Sequence, residues 1–406
     1  MPPTTEPDPV SVEVERFVAG GDGLARHPDG RVMFVRGGIP GDRVEIEVID
    51  ERRDWMRVQP MKFENASPDR VEASCPHRLN GCGGCDWAEV ATDTQLAHKA
   101  AIVADALRRT ARIDRVPTLG RSVDRTRYRT SIRVVGDSEG RPAYRRAASN
   151  DLVPIDSCEI AVDRLSSVVA GLNVTPGLEV SLRVSEQTGA LSARWDSRSG
   201  AVEGLPNDAL IGQNGVIIER VAGVDLAVSA GSFFQSGPQA AGILVASVAA
   251  HAPEIGSGSH VVDAYGGVGL FAATVGSVAD HVTIVESSRF AVSDAERNLS
   301  GRGQAATIVR SDVGDWRLEA DARPVDVVIA DPARTGLGRP GVGALTRATP
   351  AVLVLVSCDP VAMARDAGLL ASAGYVLEAA EVHDLFPGTH HVEVVSRFVR
   401  TGTLST

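Results

Sequence analysis

"VVDAYGGVGLFA", residues 261–272, runs from an apolar stretch through an acid into a glycine turn, then out into a second apolar stretch. A strand that meets a tight turn and then a helix has this form, because glycine permits backbone angles and close approaches that a Cβ resists. Downstream, VTIVE (282–286), VDVVIADP (325–332) and VLVLVSC (352–358) are continuous apolar runs, not alternating ones. Strands buried on both faces read this way, and they belong to parallel sheets covered by helices. From Gly231 onward such runs alternate with helical segments, which predicts a doubly wound, Rossmann-like α/β domain over residues 231–406.

Working outward, residues 1–62 read as short strands and turns: SVEVERFV (11–18), GGDGLARHPDG (20–30) and RVMFVRGGIPGDRVEIEVID (31–50). The alternation and frequent glycine predict a small OB-like β-barrel. Such barrels often bind RNA, and Phe17, Phe34 and Trp55 are its candidate stacking platforms. Residues 63–230 read as a mixed α+β region, with a cysteine-bearing segment followed by the helical stretch TDTQLAHKAAIVADALRRTA (92–111). Three domains suit a chain of 406 residues.

No apolar run approaches the roughly 20 residues of a membrane span, and the polar, proline-rich start lacks the pattern of a signal peptide. A cytoplasmic monomer away from membranes is expected. The formal net charge of −11 argues against a chain that coats nucleic acid over its whole surface. A local basic site remains open: Lys62 and Lys99 are the only lysines, and arginines crowd the stretch from Arg108 to Arg146 with few acids between. That stretch is either a solvated face or a phosphate-binding surface.

The glycine loop admits two cofactors. Gly267, Gly269 and Ala272 satisfy a dinucleotide fingerprint, which would suit NAD. Asp263 before the glycines and Glu286 at the end of the next strand also fit a class I S-adenosylmethionine (SAM) domain, with Glu286 accepting the ribose hydroxyls. Asp312, in IVRSDVGDW, stands where an acid near the adenine amine is expected, and Asp331, in VVIADPARTG, stands over the reaction centre. A nicotinamide enzyme requires neither that acid nor a thiol on the following strand, so SAM is favoured.

The thiol is Cys358, at the end of VLVLVSC. A cysteine there either fills the last position of a core strand or acts as a nucleophile. With SAM as methyl donor, a thiol suggests a pyrimidine acceptor, whose carbon 5 becomes nucleophilic only after attack at carbon 6. A base must then remove the carbon 5 proton, and Glu393, in GTHHVEVVSRF (388–398), is the candidate.

SFFQSGPQ, DAYGGVG, DPARTG, VSCDP and HHVEVVSRF occur in this order along the chain. In this the chain resembles the RNA (uracil-carbon 5) methyltransferases, closely over its C-terminal half. Its N-terminal module resembles the TRAM domain of their ribosomal-RNA branch. The resemblance implies Cys358 as nucleophile, Glu393 as general base, and Gln235, Tyr265, Glu286 and Asp331 in contact with SAM or the reacting base. Gly237, Gly266 and Leu270 depart from the residues common in that family.

CPHRLNGCGGC places Cys75, Cys82 and Cys85 in a C-x6-C-x2-C pattern, and IDSCEI adds Cys158. Disulfides are not expected in the cytoplasm, so four thiols in this pattern point to a metal. Zinc and a [4Fe–4S] cluster both accept four thiolates. The resemblance implies the iron–sulfur cluster, with zinc as the alternative. It also places Arg145 and Arg146 beside the cluster as candidate phosphate contacts. The reading is thus a SAM-dependent methyltransferase acting on a uridine of RNA, 23S ribosomal RNA before the tRNA T-loop. An NAD-linked iron–sulfur oxidoreductase and a non-catalytic RNA-binding protein are the other classes.

Overall fold

The computed structural model describes residues 10–402 except 214 and 304; the polar start of the chain lies outside the described residues. The N-terminal sheet runs Ser11–Glu13, Arg43–Glu51, Trp55–Asn65, Val32–Val35, Gly23–Arg26, Arg16–Phe17. Its two edge strands are consecutive pieces of one stretch, so the sheet closes on itself as a barrel and leaves little free edge. Val12, Val14, Ala25, Met33, Val35, Val44, Met56 and Val58 fill it, the inward half of an alternating pattern.

The C-terminal sheet has eight strands in the order Ala305–Arg310, His281–Glu286, His260–Ala264, Val327–Ala330, Val352–Ser357, Glu393–Arg400, Tyr375–Asp384, Thr118–Ser122. The first five pair in parallel, and Glu393–Arg400 lies antiparallel to both its neighbours. The four apolar runs of the sequence are therefore four consecutive strands, with two hydrophobic cores on the two faces. The strand order reverses at His260–Ala264, whose neighbours are His281–Glu286 on one side and Val327–Ala330 on the other. Ligands of open α/β sheets bind beyond the carboxyl ends of strands at such a reversal.

Between the barrel and the eight-stranded sheet along the chain, a six-stranded sheet (Leu152–Pro154, Pro142–Arg145, Ser131–Gly136, Glu179–Val184, Leu191–Arg194, Leu210–Ile211) has its own core with helix Asp163–Ala170. Part of the stretch 63–230 packs elsewhere. Thr118–Ser122 is the last strand of the eight-stranded sheet, and helix Thr92–Ala106 lies against it. A buried ion pair fixes that helix: Lys99 Nζ donates to Asp384 Oδ1 at 2.6 Å and to the Phe386 carbonyl at 3.2 Å. Among the described residues no helix is long and apolar enough to cross a membrane.

Candidate active site

Strand direction brings the chemistry to one edge. Asp263, Glu286, Asp331 and Cys358 stand at or just past the carboxyl ends of four parallel strands. Glu393 opens the antiparallel strand, so its amino end meets the same edge. The turn after Val352–Ser357 is set by Asp359, whose Oδ1 caps the next helix by accepting from Val361 N at 3.0 Å and Ala362 N at 2.7 Å. Pro360 begins that helix, and Cys358 is left half-buried between strand and cap.

Around Cys358 the charges are mostly negative. Burial, followed by the carboxyls of Glu393 and Asp331, pushes its thiol up to about 12, and the guanidinium of Arg334 opposes them. Glu393, only 5% exposed, is pushed well above the usual carboxylate range by burial and by Asp331. Asp331 itself is raised to about 7 by loss of solvent, while Gln235 Nε2 donates to its Oδ2 at 3.1 Å. Thus the Cys358 thiol and the Glu393 carboxyl share the guanidinium of Arg334 as a cationic neighbour.

At the reversal point, the glycine loop leaves Asp263 buried, its Oδ2 accepting from Ala272 N at 2.9 Å and its Oδ1 without a partner. Burial raises this carboxyl to about 7. Tyr265 has φ 59°, a left-handed conformation rare for a bulky residue, and Gly267 and Gly269 have φ 55° and 83°. Glu286 accepts from Gly267 N at 3.0 Å and Ser288 N at 2.6 Å, so it braces the loop. Asp312 is exposed and accepts from Gly314 N at 2.8 Å. Gln235, Tyr265, Gly267 and Asp331 line one small crevice. Two departures have steric causes: a Cβ at Gly266 would stand 2.8 Å from Ile284 Cγ2, and one at Gly237 2.5 Å from the Tyr128 carbonyl. Leu270 is buried in the core.

Sequence spacing did not reveal several neighbours of the thiol. Arg334 Nη2 meets His391 Nε2 at 3.1 Å, and burial with the adjacent cations lowers His391 to about 3, so its neutral ring accepts. Asp86 binds His390 at both its backbone amide and its ring. Gly21 of the barrel packs so closely there that a Cβ would lie 2.8 Å from His390 Cβ. Each contact joins chain segments far apart, which no local motif encodes.

Cys75, Cys82, Cys85 and Cys158 line one cavity of about 400 Å³. Burial and then the other three sulfurs push Cys85 up to about 12. Among the described residues, no group of three or more His, Cys, Asp or Glu is placed to hold a metal ion. Arg145 and Arg146 stand exposed beside this cavity: Gly83 N donates to the Arg145 carbonyl at 3.0 Å, and Cys82 bridges to Arg146. The close approach needs Gly83, since a Cβ would lie 2.9 Å from the Ala147 backbone.

Strand order, glycine loop and acids at the carboxyl edge define a class I SAM-dependent methyltransferase fold, and comparison with known proteins narrows this. The TRAM domain model matches residues 8–54. An uncharacterised RNA methyltransferase of Corynebacterium glutamicum is 32% identical over 97% of this chain and 97% of its own. One of Streptomyces coelicolor is also 32% identical, over 97% of this chain and 94% of its own. The chain belongs to the RNA methyltransferases and carries a TRAM domain. Membership sets aside the NAD-linked oxidoreductase and the non-catalytic RNA-binding protein. In fold it matches the tRNA (uracil-54, C5)-methyltransferase of Pyrococcus abyssi, solved with S-adenosyl-L-homocysteine, at a TM-score of 0.71 and 24% identity, covering 96% of this chain and 100% of that one.

Proposed function

We propose that this protein methylates carbon 5 of a uridine in RNA, with 23S ribosomal RNA as substrate and Cys358 as covalent nucleophile. The observation that carries the reading is the meeting of Cys358, Asp331, Glu393 and Arg334 at one strand edge. Acceptors with their own lone pair need no such thiol.

The residues at the reversal point fit SAM: a glycine loop with open backbone at Gly267, a buried Asp263 oxygen without a partner, and Glu286 one strand over. Bound there, SAM supplies an electrophilic methyl group. The flipped uridine enters between Cys358 and Glu393. The Cys358 sulfur bonds carbon 6, and the displaced electron pair makes carbon 5 an enolate carbon that takes the methyl. Glu393 then removes the carbon 5 proton, the carbon 6–sulfur bond breaks, and the thiolate is released with 5-methyluridine. Burial that raises Glu393 makes its ionised carboxylate a stronger base. Arg334 is the cation that favours both the thiolate and the Glu393 carboxylate.

At the four cysteines the reading is a [4Fe–4S] cluster in preference to zinc, supported by the lining of one cavity by all four thiols. Its loop pairs with the backbone of Arg145 and Arg146, so the cluster would hold the RNA-facing loop in shape. Iron and sulfide assays on anaerobically purified protein test this; zinc without iron rejects it.

Methylation of a tRNA T-loop uridine is the second reading, favoured by the substrate of the Pyrococcus neighbour. Incubation with methyl-labelled SAM and separated ribosomal and transfer RNA from a strain lacking the enzyme decides. Labelled 5-methyluridine in ribosomal RNA is the expected result; label in transfer RNA alone moves the substrate, and label in neither rejects the reaction.

A further inference from the structure

A groove of about 430 Å³ lies between the barrel and helix Thr92–Ala106, outside the reacting centre. Its volume falls within the roughly 300–1,000 Å³ usual for small-ligand sites. On the barrel side, Phe34 and Trp55 are half-buried and meet edge to face, their centroids 5.8 Å apart. Opposite them are Ile102 and Val361, the latter 48% exposed. Ala19 and Ile102 also wall the crevice that holds Cys358, so the groove and the thiol share a boundary.

At its mouth, Arg16, Arg108 and Arg109 approach the single carboxylate of Asp105 at 3.2, 2.7 and 2.9 Å. Three guanidiniums around Asp105, with Asp54 the one further carboxylate of the groove's lining, leave net positive charge. Arg108 and Arg109 project there from a widened π-helical turn, Leu107–Ala111, which ends the helix. Aromatic rings beside a cationic rim match a nucleotide: one ring stacks on the base, the other meets its edge, and the guanidiniums meet the phosphate. Turning a uridine out of its strand also unstacks its neighbours, and a stacking surface near the pocket offsets that cost.

We propose that this groove holds a base of the substrate RNA adjacent to the methylated uridine, stacked on Trp55 with Phe34 against its edge, and with its phosphate toward Arg109. The inference rests on the RNA-methylation reading, and its test has a readout that does not depend on methyl transfer. Binding of an RNA stem–loop with one loop uridine is measured by anisotropy for wild type, Trp55→Ala and Trp55→Phe, using intact RNA and RNAs made abasic on either side of the uridine. Trp55→Ala is expected to weaken binding about tenfold, with Trp55→Phe restoring most of it. One abasic position should cost wild type a similar factor and cost Trp55→Ala almost nothing. SAM affinity and melting temperature should be unchanged. Unaltered binding by a folded Trp55→Ala, or abasic losses that add in full to the mutation, overturns the proposal. If wild type binds but transfers no methyl group to any RNA, the reaction reading fails, while the binding comparison still decides the groove.

Discussion

The catalytic edge and the cysteine cavity are built in opposite ways. At the edge, each candidate residue ends or begins a strand of one sheet, and backbone pairing fixes its place: Asp331 follows Val327–Ala330, Cys358 follows Val352–Ser357, and Glu393 opens its own strand. The cavity gathers Cys75, Cys82, Cys85 and Cys158 from loops and the amino end of a four-residue helix, held by turn and loop bonds such as Cys82 N to the His77 carbonyl at 2.9 Å and Ala88 N to the Cys85 carbonyl at 3.2 Å, not by a continuous sheet ladder. A site on strands is preorganised by the fold, whereas a site on loops depends on what it binds. Substitutions at the edge should therefore stop chemistry in a folded protein, and substitutions at the cavity should disturb folding first.

The largest effect belongs to Cys358→Ala, expected to remove methyl transfer while SAM still binds by calorimetry. Remaining turnover would reject the covalent scheme. Glu393→Gln is expected to cost at least about 100-fold in turnover and to trap a protein–RNA adduct resistant to denaturing gels. Rapid release of normal product would mean that another group takes the proton. At the cavity, Cys85→Ala is expected to lose iron and soluble yield together; unchanged iron would remove Cys85 from the ligand set.

The same contrast explains what could be read in advance. The central strands were legible because burial on both faces writes continuous apolar runs, and because acids and a thiol at strand ends stand out against them. The four cysteines read as one set do line one cavity, while among the described residues no group is placed to hold a metal ion. What escaped was whatever tertiary packing alone decides. Thr118–Ser122 is short and half polar, with nothing local to assign it to a distant sheet edge; pairing with Tyr375–Asp384 does that. Arg334 lay within a quoted motif, yet its contact with His391 crosses 57 residues of chain. Lys99 is one of two lysines in an arginine-rich chain and is fully buried against Asp384, which composition could not foretell.

Arg334 sharpens the electrostatic half of the comparison. Because burial and two carboxyls raise Cys358, the reactive thiolate is scarce at neutral pH, and kcat/KM should climb as pH rises from about 7 to 9. Arg334 is the cation that opposes this rise. In Arg334→Gln the thiol moves further up, so activity at pH 7 should fall and the whole profile should shift to higher pH. A profile that keeps its position and loses only height would assign Arg334 to RNA binding.

The smallest effect tests whether the two regions are independent. Asp86 follows Cys85 directly, and its carboxylate holds the backbone amide and ring of His390, three residues before Glu393. Trp87, the next residue, donates its amide to the Gly388 carbonyl at 2.9 Å and its indole N–H to the Gly21 carbonyl at 3.0 Å. The cysteine loop, the barrel and the approach to the catalytic strand thus meet through three consecutive residues. Asp86→Asn preserves shape but weakens charge-assisted hydrogen bonds, a loss of about 1.5 kcal/mol, or roughly tenfold. If the loop positions the base, kcat should fall by about that factor, with iron content and KM for SAM unchanged. If kcat stays at the wild-type value while iron is lost, Asp86 serves the cavity alone and the catalytic edge is held entirely by its own sheet.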